Sequence, residues 1–299
     1  MIQNNKVAII IVNWKQYELT KSCLSTLKSS KFNDFQIILI DNESNQKELN
    51  DLKNQFDQVK TFTSEKNLGF TGANNIGINY AIKNQFEYVM LLNNDTEIDK
   101  NFINPLLEAF QKYNKLGAVQ PVIMNFYQNK KVWNAGGNLN KFFGYTSVIK
   151  KPKYINRKID WITGCCILIK TEVIKKVGLL DENFFAYYED VDWSIRIKKA
   201  GYDLAVVKSS LIYHHGSKAS KNESSEGTLS SFVHYLNIRN HIFLLRKNKD
   251  IFNSFGILVF QFFKILSYSL YFTIRLRINK LKMVYNGLKD GFRNNNFQA

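Results

Sequence analysis

Glu189, Asp190 and Asp192 stand almost side by side in "FFAYYEDVDWSIRIKKAGY", Phe184 to Tyr202, next to Tyr187, Tyr188 and Trp193. A carboxylate in such a group can take a proton from a hydroxyl, and its neighbours can orient the molecule that carries it. Asp95 follows Asn93 and Asn94 in "LLNNDT". A carboxylate flanked by amides at a strand end can hold a divalent cation that bridges a diphosphate. His214 and His215, in "YHHGSKAS", offer imidazole nitrogens as further ligands. Each group also has a purely structural reading. Acidic residues in a first helical turn offset the helix dipole by about 0.3–1 kcal/mol each. Asp192 is spaced to pair with Arg196 at i,i+4. Asp95 could cap a following helix, and the histidines could make strand-end hydrogen bonds.

Which readings hold depends on the elements that carry these residues. "VAIIIVNW" is apolar on both faces, as in a strand covered on both sides, and is too short and β-branched for a signal peptide. Leu19, Cys23, Leu24 and Leu27 form a helical stripe. "FQIILID" is a second strand ending at Asp41, followed by helix "KELNDLKNQF", strand "VKTFTS" and helix "TGANNIGINYAIKN". Strand "YVMLLNND", helix "NFINPLLEAFQKY" and strand "GAVQPVIM" continue the alternation. It predicts an α/β chain with an open, mainly parallel sheet and helices on both faces. Ligands of such sheets bind beyond the carboxyl ends of the strands. Asn13-Trp14, Asp41-Asn42 and Asn93-Asn94-Asp95 all fall there. The middle, Met124 to Lys170, supplies short β-like pieces and a substrate platform. Trp193, Ile197 and Ala200 put a helix after Tyr188, with Gly201 as its C′ residue. "DLAVV" reads as an edge strand leading to the histidines.

The chain has 299 residues, 45% of them hydrophobic, and a net charge of +16. That is enough for one large α/β domain, or for one domain plus an appendage, and the charge asks for an anionic partner. The cysteines, Cys23, Cys165 and Cys166, have no metal-type spacing and fit a reduced, cytosolic chain. No G-x-G-x-x-G follows the first strand and no Walker A loop is present, so a bound nucleotide needs another counter-charge for its phosphates.

In order, "IIIVNW", "DNESN", "EKNLGFTGANNIG", "YVMLLNNDT", "WNAGG", "TGCCILIK", "FFAYYEDVDWSIRIKKAGY", "YHHGSKAS" and "HYLNIRN" resemble family-2 glycosyltransferases of the GT-A fold, most closely a bacterial rhamnosyltransferase branch. The match runs from about Lys6 to Arg246. The resemblance implies that Asp41 meets the nucleotide base, with Asn13 and Trp14 lining its pocket. Asn74 stands near the nucleotide where many relatives have arginine. Asn93-Asn94-Asp95 takes the place of the DxD motif, leaving Asp95 as ligand of Mn2+ or Mg2+, with Asn94 beside it. His214 best matches the family's metal-site histidine, and His215 is the alternative. Asp190 is the general base of an inverting transfer, which needs no covalent enzyme intermediate. Glu189, Asp192, Trp133 and Gly164 fall to the acceptor. The implied donor is a nucleotide-sugar, dTDP-rhamnose first and a UDP-hexose or UDP-N-acetylhexosamine as alternatives. The implied acceptor is a saccharide or lipid-linked saccharide of the cell surface.

Residues 1–246 read as the catalytic domain and 247–299 as a basic, amphipathic helical extension. From Ile251 to Ile274 the tail is long enough to span a bilayer. Gln261, Lys264, Tyr268, Tyr271 and Arg275 nevertheless form a polar stripe opposite Phe255, Leu258, Phe262, Leu266 and Leu270, and both flanks are basic. This pattern predicts a helix lying on an anionic membrane surface, on the inner face of the cytoplasmic membrane. The alternative is a helix packed on its own domain or on a second subunit as a homo-oligomer. A nucleic-acid-binding module rests on charge alone; the tail charges are interleaved with bulky apolar residues, and no nucleic-acid motif is present. A catalytically dead sugar-binding protein is at odds with the intact Asp95, Asp190 and His214.

Overall fold

The computed structural model describes residues 6–43, 46–56, 58–128, 131–216 and 229–293. The polar loop "GSKASKNESSEG", apart from Gly216, lies outside the described residues.

Side chains alternate across strand β1 (Val7–Asn13), and both sides are buried. Val7, Ile9 and Ile11 enter one core layer, and Ala8 and Ile10 the other. A strand apolar on both faces needs helices above and below, and the next elements provide them. Helix α1 (Tyr17–Lys28) brings Cys23, Leu24 and Leu27 to the Ile9 side. After β2 (Phe35–Asn42), α2 (Gln46–Gln55) and β3 (Val59–Ser64), helix α3 (Gly69–Lys83) brings Ala73, Ile78 and Ala81 to the Ile10 side. Gly77 permits this approach, since a Cβ there would lie 2.7 Å from Ile10.

The chain continues through β4 (Tyr88–Leu92), β5 (Thr96–Ile98), α4 (Ile103–Lys112), β6 (Leu116–Asn125) and β7 (Val132–Asn134). Then follow β8 (Gly137–Leu139), β9 (Thr146–Val148), β10 (Ile155–Asn156), β11 (Cys166–Lys170) and α5 (Thr171–Val177). A short 3-10 turn, Glu182–Phe184, leads to α6 (Glu189–Lys199) and β12 (Asp203–His214). Helices α7 (Ser231–Lys247), α8 (Ser254–Ile274) and α9 (Ile278–Phe292) complete the described chain.

Among the described residues the main sheet has the order β10-β12-β6-β11-β4-β1-β2-β3, with β5 on β12 and β7 on β6. It is parallel except at β5, β7, β10 and β11, and β11 runs antiparallel between β4 and β6. Two details depart from the sequence reading. "DLAVV" is not an edge strand: β12 lies between β6 and β10/β5 and runs on to His214. The polar Lys208-Ser209-Ser210 looks like a strand end, but an irregularity between Val207 and Leu211 absorbs it, and Ser210 donates to Phe102 O at 2.6 Å. Strand β5 has no periodic signal at three residues, yet it pairs with the end of β12 and sets Thr96 opposite His214.

The C-terminal helices are closely attached to the rest. Phe252 and α7 residues Leu244 and Leu245 share an apolar cluster with Trp161, Phe184, Val191 and Ile195. Helix α9 lies against α7 through Gly287, where a Cβ would come within 2.6 Å of Tyr235 O. Helix α8 turns Gln261 and Lys264 of its polar stripe inward, while Tyr271 and Arg275 stay exposed: Lys264 Nζ and Gln261 Nε2 lie 2.8 and 3.1 Å from Nδ1 of His241, and His241 Nε2 donates to Gly144 O at 2.7 Å. Burial pushes His241 down to about 3 and Lys264 down to about 8. The apolar stripe of α8 faces outward, with Phe255 71%, Leu258 68% and Phe262 63% exposed.

Candidate active site

The carboxyl ends of β1, β2 and β4 open into a cleft of about 810 Å³. Three strand ends are tied beneath it: Asn94 Nδ2 donates to Thr20 Oγ1 at 2.9 Å, Thr20 Oγ1 to Asn13 Oδ1 at 2.7 Å, and Asn13 Nδ2 to Asp41 Oδ1 at 3.2 Å. Asn13 and Asp41 are buried under this edge and are not among the lining residues. Trp14, Asn42, Asn74, Asn94 and Asp95 do line it. Asn67 lines it too, without a signal of its own in the sequence, whereas Asn42 belongs to the strand-end pair Asp41-Asn42. Asn42 Nδ2 donates to Asn67 Oδ1 at 2.9 Å and its Oδ1 accepts from Leu68 N at 2.8 Å, which fixes the entry to α3.

Asp95 caps no helix, because α4 begins at Ile103 with Phe102 at its N-cap. Its Oδ1 lies 3.2 Å from His214 Nε2, and both residues are buried. Among the described residues neither atom has a hydrogen-bond partner, nor has His214 Nδ1. Buried polar atoms are nearly always hydrogen-bonded, so two facing, unsatisfied ligand atoms fit a pair that holds a cation. Among the described residues no group of three or more His, Cys, Asp or Glu is placed to hold a metal ion, so the chain itself offers this pair. His215 is turned away, as strand alternation requires. Its ring stacks on Phe126 at 3.8 Å, its Nε2 lies 3.1 Å from Glu97 Oε1, and it does not line the cleft. Trp133 packs against His214 with ring centroids 4.5 Å apart, so it backs this corner of the cleft.

The opposite wall carries Asp190. The chain reaches it through an unusual turn. Phe185, Tyr187 and Tyr188 have φ of 62°, 72° and 69°. Ala186 N donates to Phe184 O at 2.7 Å, closing a γ-turn at Phe185 (ψ −62°). Such γ-turns are rare and strained, and each non-glycine residue held at positive φ costs on the order of 1–3 kcal/mol. Tyr188 is the N-cap of α6 without a side-chain cap, and Glu189, Asp190 and Asp192 occupy the first turn. Asp190 Oδ1 accepts from Val191 N at 2.8 Å and Oδ2 from Gly164 N at 2.9 Å. The carboxylate therefore satisfies a helix N–H while its half-buried residue still lines the cleft. Burial raises the Asp190 pKa above the ordinary carboxylate range, and the Gly164 and Val191 amides pull it back. Glu189 is pushed well up by burial and by the adjacent Asp190 charge, and among the described residues its Oε2 has no partner.

Asp192 does not line the cleft. It is fully buried, with Arg196 Nε at 2.8 Å and Lys247 Nζ at 2.9 Å from Oδ2, so the i,i+4 pair is present and α7 joins it. Trp193 is core, donating Nε1 to Gly178 O at 2.9 Å. At the other end of α6, Gly201 N and Tyr202 N bond Lys198 O and Ile197 O, the paired bonds of a Schellman stop with Gly201 at φ 90°.

Residues 8–178 match the family profile of glycosyl transferase family 2. A low-salt glycan biosynthesis hexosyltransferase, Agl10 of Haloferax volcanii, is 28% identical over 66% of this chain and 63% of its own length. An N-acetylglucosaminyl-diphospho-decaprenol L-rhamnosyltransferase of Mycobacterium tuberculosis is 26% identical over 43% of this chain and 47% of its own. The chain thus matches less than two thirds of the length of these relatives. In three dimensions it is similar to GalNAc-T7 crystallised with UDP, GalNAc and Mn2+: TM-score 0.64, 18% identity, 82% of this chain and 48% of that one. It is also similar to S. aureus TarS 1-349: TM-score 0.60, 14% identity, 96% of this chain and 80% of that one.

Proposed function

The chain belongs to glycosyl transferase family 2, and on that premise we propose that it is an inverting glycosyltransferase with a nucleotide-sugar donor and Asp190 as general base. Its fold is GT-A with added C-terminal helices. One observation carries the reading: a single cleft holds the facing Asp95–His214 pair and the Asp190 carboxylate. Asp190 takes the proton of an acceptor hydroxyl as that oxygen attacks the anomeric carbon. The bond from this carbon to the donor diphosphate breaks, and the nucleoside diphosphate leaves from the opposite face. Asp95 and His214 would hold Mn2+ or Mg2+, which when bound offsets the charge on the diphosphate. Trp14, Asn42, Asn74 and Asn94 are assigned to the donor. Glu189, whose raised pKa favours the protonated form, is assigned to donate to the acceptor, with Tyr187 and Tyr188 as flat faces for sugar rings.

The family likeness and the names of the relatives support a sugar transfer in cell-envelope glycan synthesis, with dTDP-rhamnose the first donor to test and UDP-hexoses and UDP-N-acetylhexosamines next. Residues 1–246 form the proposed catalytic unit and 247–299 the part that meets an anionic membrane surface at the cytoplasmic side. Helix α8 alone among the described helices is apolar and long enough to cross a bilayer. Its Gln261 and Lys264 are bonded to α7, so the proposed helix lies on the membrane instead of crossing it. Exposed Phe142 extends the apolar surface beside Gly256. Replacing Phe255, Leu258 and Phe262 together by serine is expected to release the protein from anionic vesicles; unchanged retention would refute the anchoring role.

The base is tested by Asp190→Asn. Turnover of the donor selected from a nucleotide-sugar panel should fall by about 10² to 10⁴, with UDP or dTDP affinity retained. Asn keeps an acceptor for Val191 N, so a helix-capping role alone predicts near-normal turnover.

A further inference from the structure

Asn240 closes the segment "HYLNIRN" on α7. It is fully buried and does not line the cleft. Its Nδ2 lies 2.7 Å from Phe184 O, 2.7 Å from Ala186 O and 3.0 Å from Tyr187 O. An amide nitrogen has two hydrogens, so one is shared, and the whole donor capacity of the side chain goes to one turn. The neighbouring Arg239 Nη1 donates to Asn183 O at 2.5 Å and to Asn240 Oδ1 at 2.7 Å, which orients the amide. From the other side, Thr71 N donates to Phe185 O at 3.1 Å. Asp192 N takes Tyr188 O at 3.0 Å in the first turn of α6. Every carbonyl from Asn183 to Tyr188 is therefore claimed, and three of the six by Asn240.

The turn so gripped is the one that needs gripping. Glycine would adopt its left-handed conformations freely; Phe185, Tyr187 and Tyr188 do not. A backbone held in sparsely populated regions persists only when its surroundings over-determine it, and such strain clusters at functional sites. Here it ends at the N-cap of α6, two residues before Asp190. We propose that Asn240 is a positioning residue for the transfer reaction: by pinning the carbonyls of the 184–188 turn it fixes where α6 starts, and so where the Asp190 carboxylate stands. This rests on Asp190 being the base.

The test uses the full chain, Asn240→Asp (same size, no N–H donor) and Asn240→Ser (one hydroxyl donor), with Asp190→Asn in parallel. Hydrolysis of the nucleotide-sugar selected from the panel is followed against pH, and UDP or dTDP affinity is measured with Mn2+. A misplacement of about 1 Å can cost on the order of 10²-fold in rate. Asn240→Asp is therefore expected to lower kcat about 10- to 100-fold, with nucleotide Kd within about twofold. Asn240→Ser should fall between it and the parent. The acid limb of the pH profile should move to lower pH as the loosened turn admits water to Asp190. A parallel loss of nucleotide affinity and turnover with an unmoved acid limb, or normal turnover in folded Asn240→Asp, would overturn the proposal. If Asn240→Asp does not fold, Tyr187→Gly in the Asn240→Ser background decides. Glycine accepts the left-handed backbone, so turnover should return towards that of Tyr187→Gly alone, and no recovery overturns the proposal. If Asp190→Asn is fully active, the base assignment fails and the positioning role fails with it. If Asp190→Asn is inactive while the Asn240 variants are normal, only the positioning role fails.

Discussion

Asp95 and His214 stand where paired strands leave them, one in the short turn between β4 and β5 and the other at the end of β12, beyond its irregularity at Val207/Leu211. Asp190 stands after a γ-turn and two left-handed tyrosines, fixed by the Thr71 N–H from α3 and the Asn240 side chain from α7. On the first wall, secondary structure positions the chemistry and the polar atoms are left unsatisfied. On the second, the polar atoms of the turn are satisfied by distant residues and the backbone is strained. Under the proposed assignment, a wall that takes a cation can be left open, because its ligand atoms would find their partner on binding, whereas a base must be aimed before the acceptor arrives.

The strongest way to break this contrast is on the first wall. Asp95→Ala and His214→Ala are expected to abolish the Mn2+-dependent part of UDP or dTDP affinity, while His215→Ala leaves it within about twofold. Calorimetry with and without Mn2+ checks this, and equal metal dependence in all three variants would dissolve the assigned pair. The second wall should respond in stability instead. Lys247→Met removes one partner of the buried Asp192 and is expected to cost about 1.5–3 kcal/mol in denaturant unfolding, the usual worth of a hydrogen bond to a charged group. Asp192 retains Arg196, and a cost near zero would show that α7 is not fastened to α6 through this carboxylate.

The smallest expected effect is a pH dependence. The folded-state pKa of Glu189 is raised by burial and by the Asp190 charge. Its contribution to stability is therefore complete below the unfolded pKa and is lost as pH rises through the folded one. Gln cannot ionise and escapes this loss. Melting of Glu189→Gln should exceed that of the parent by more at pH 8 than at pH 4. A constant or shrinking difference would mean that Glu189 is ionised in the folded protein.

The sequence by itself determined the layered α/β plan, because apolar residues on both faces of β1 admit no other covering and the helical stripes that supply it are periodic. It also placed Asp41, Asp95 and Asn13 at strand ends, which follows from where the apolar runs stop. Tertiary structure alone decided what these positions face. Asp41 and Asn13 lie beneath the cleft edge because their side chains pair with each other. His214, and not His215, faces Asp95 because of the register of β12 with β5, which three residues and an irregular strand cannot announce. Asp192, read among the acceptor groups, is buried by Arg196 and by Lys247, 55 residues away. The strained turn before Asp190 carries no glycine to betray it, since the donors that hold it come from Asn240 and Thr71, far along the chain in either direction. Local pattern reports what a segment must bury; which side chain meets which across the fold is set by packing between elements, and that is where this site acquires its geometry.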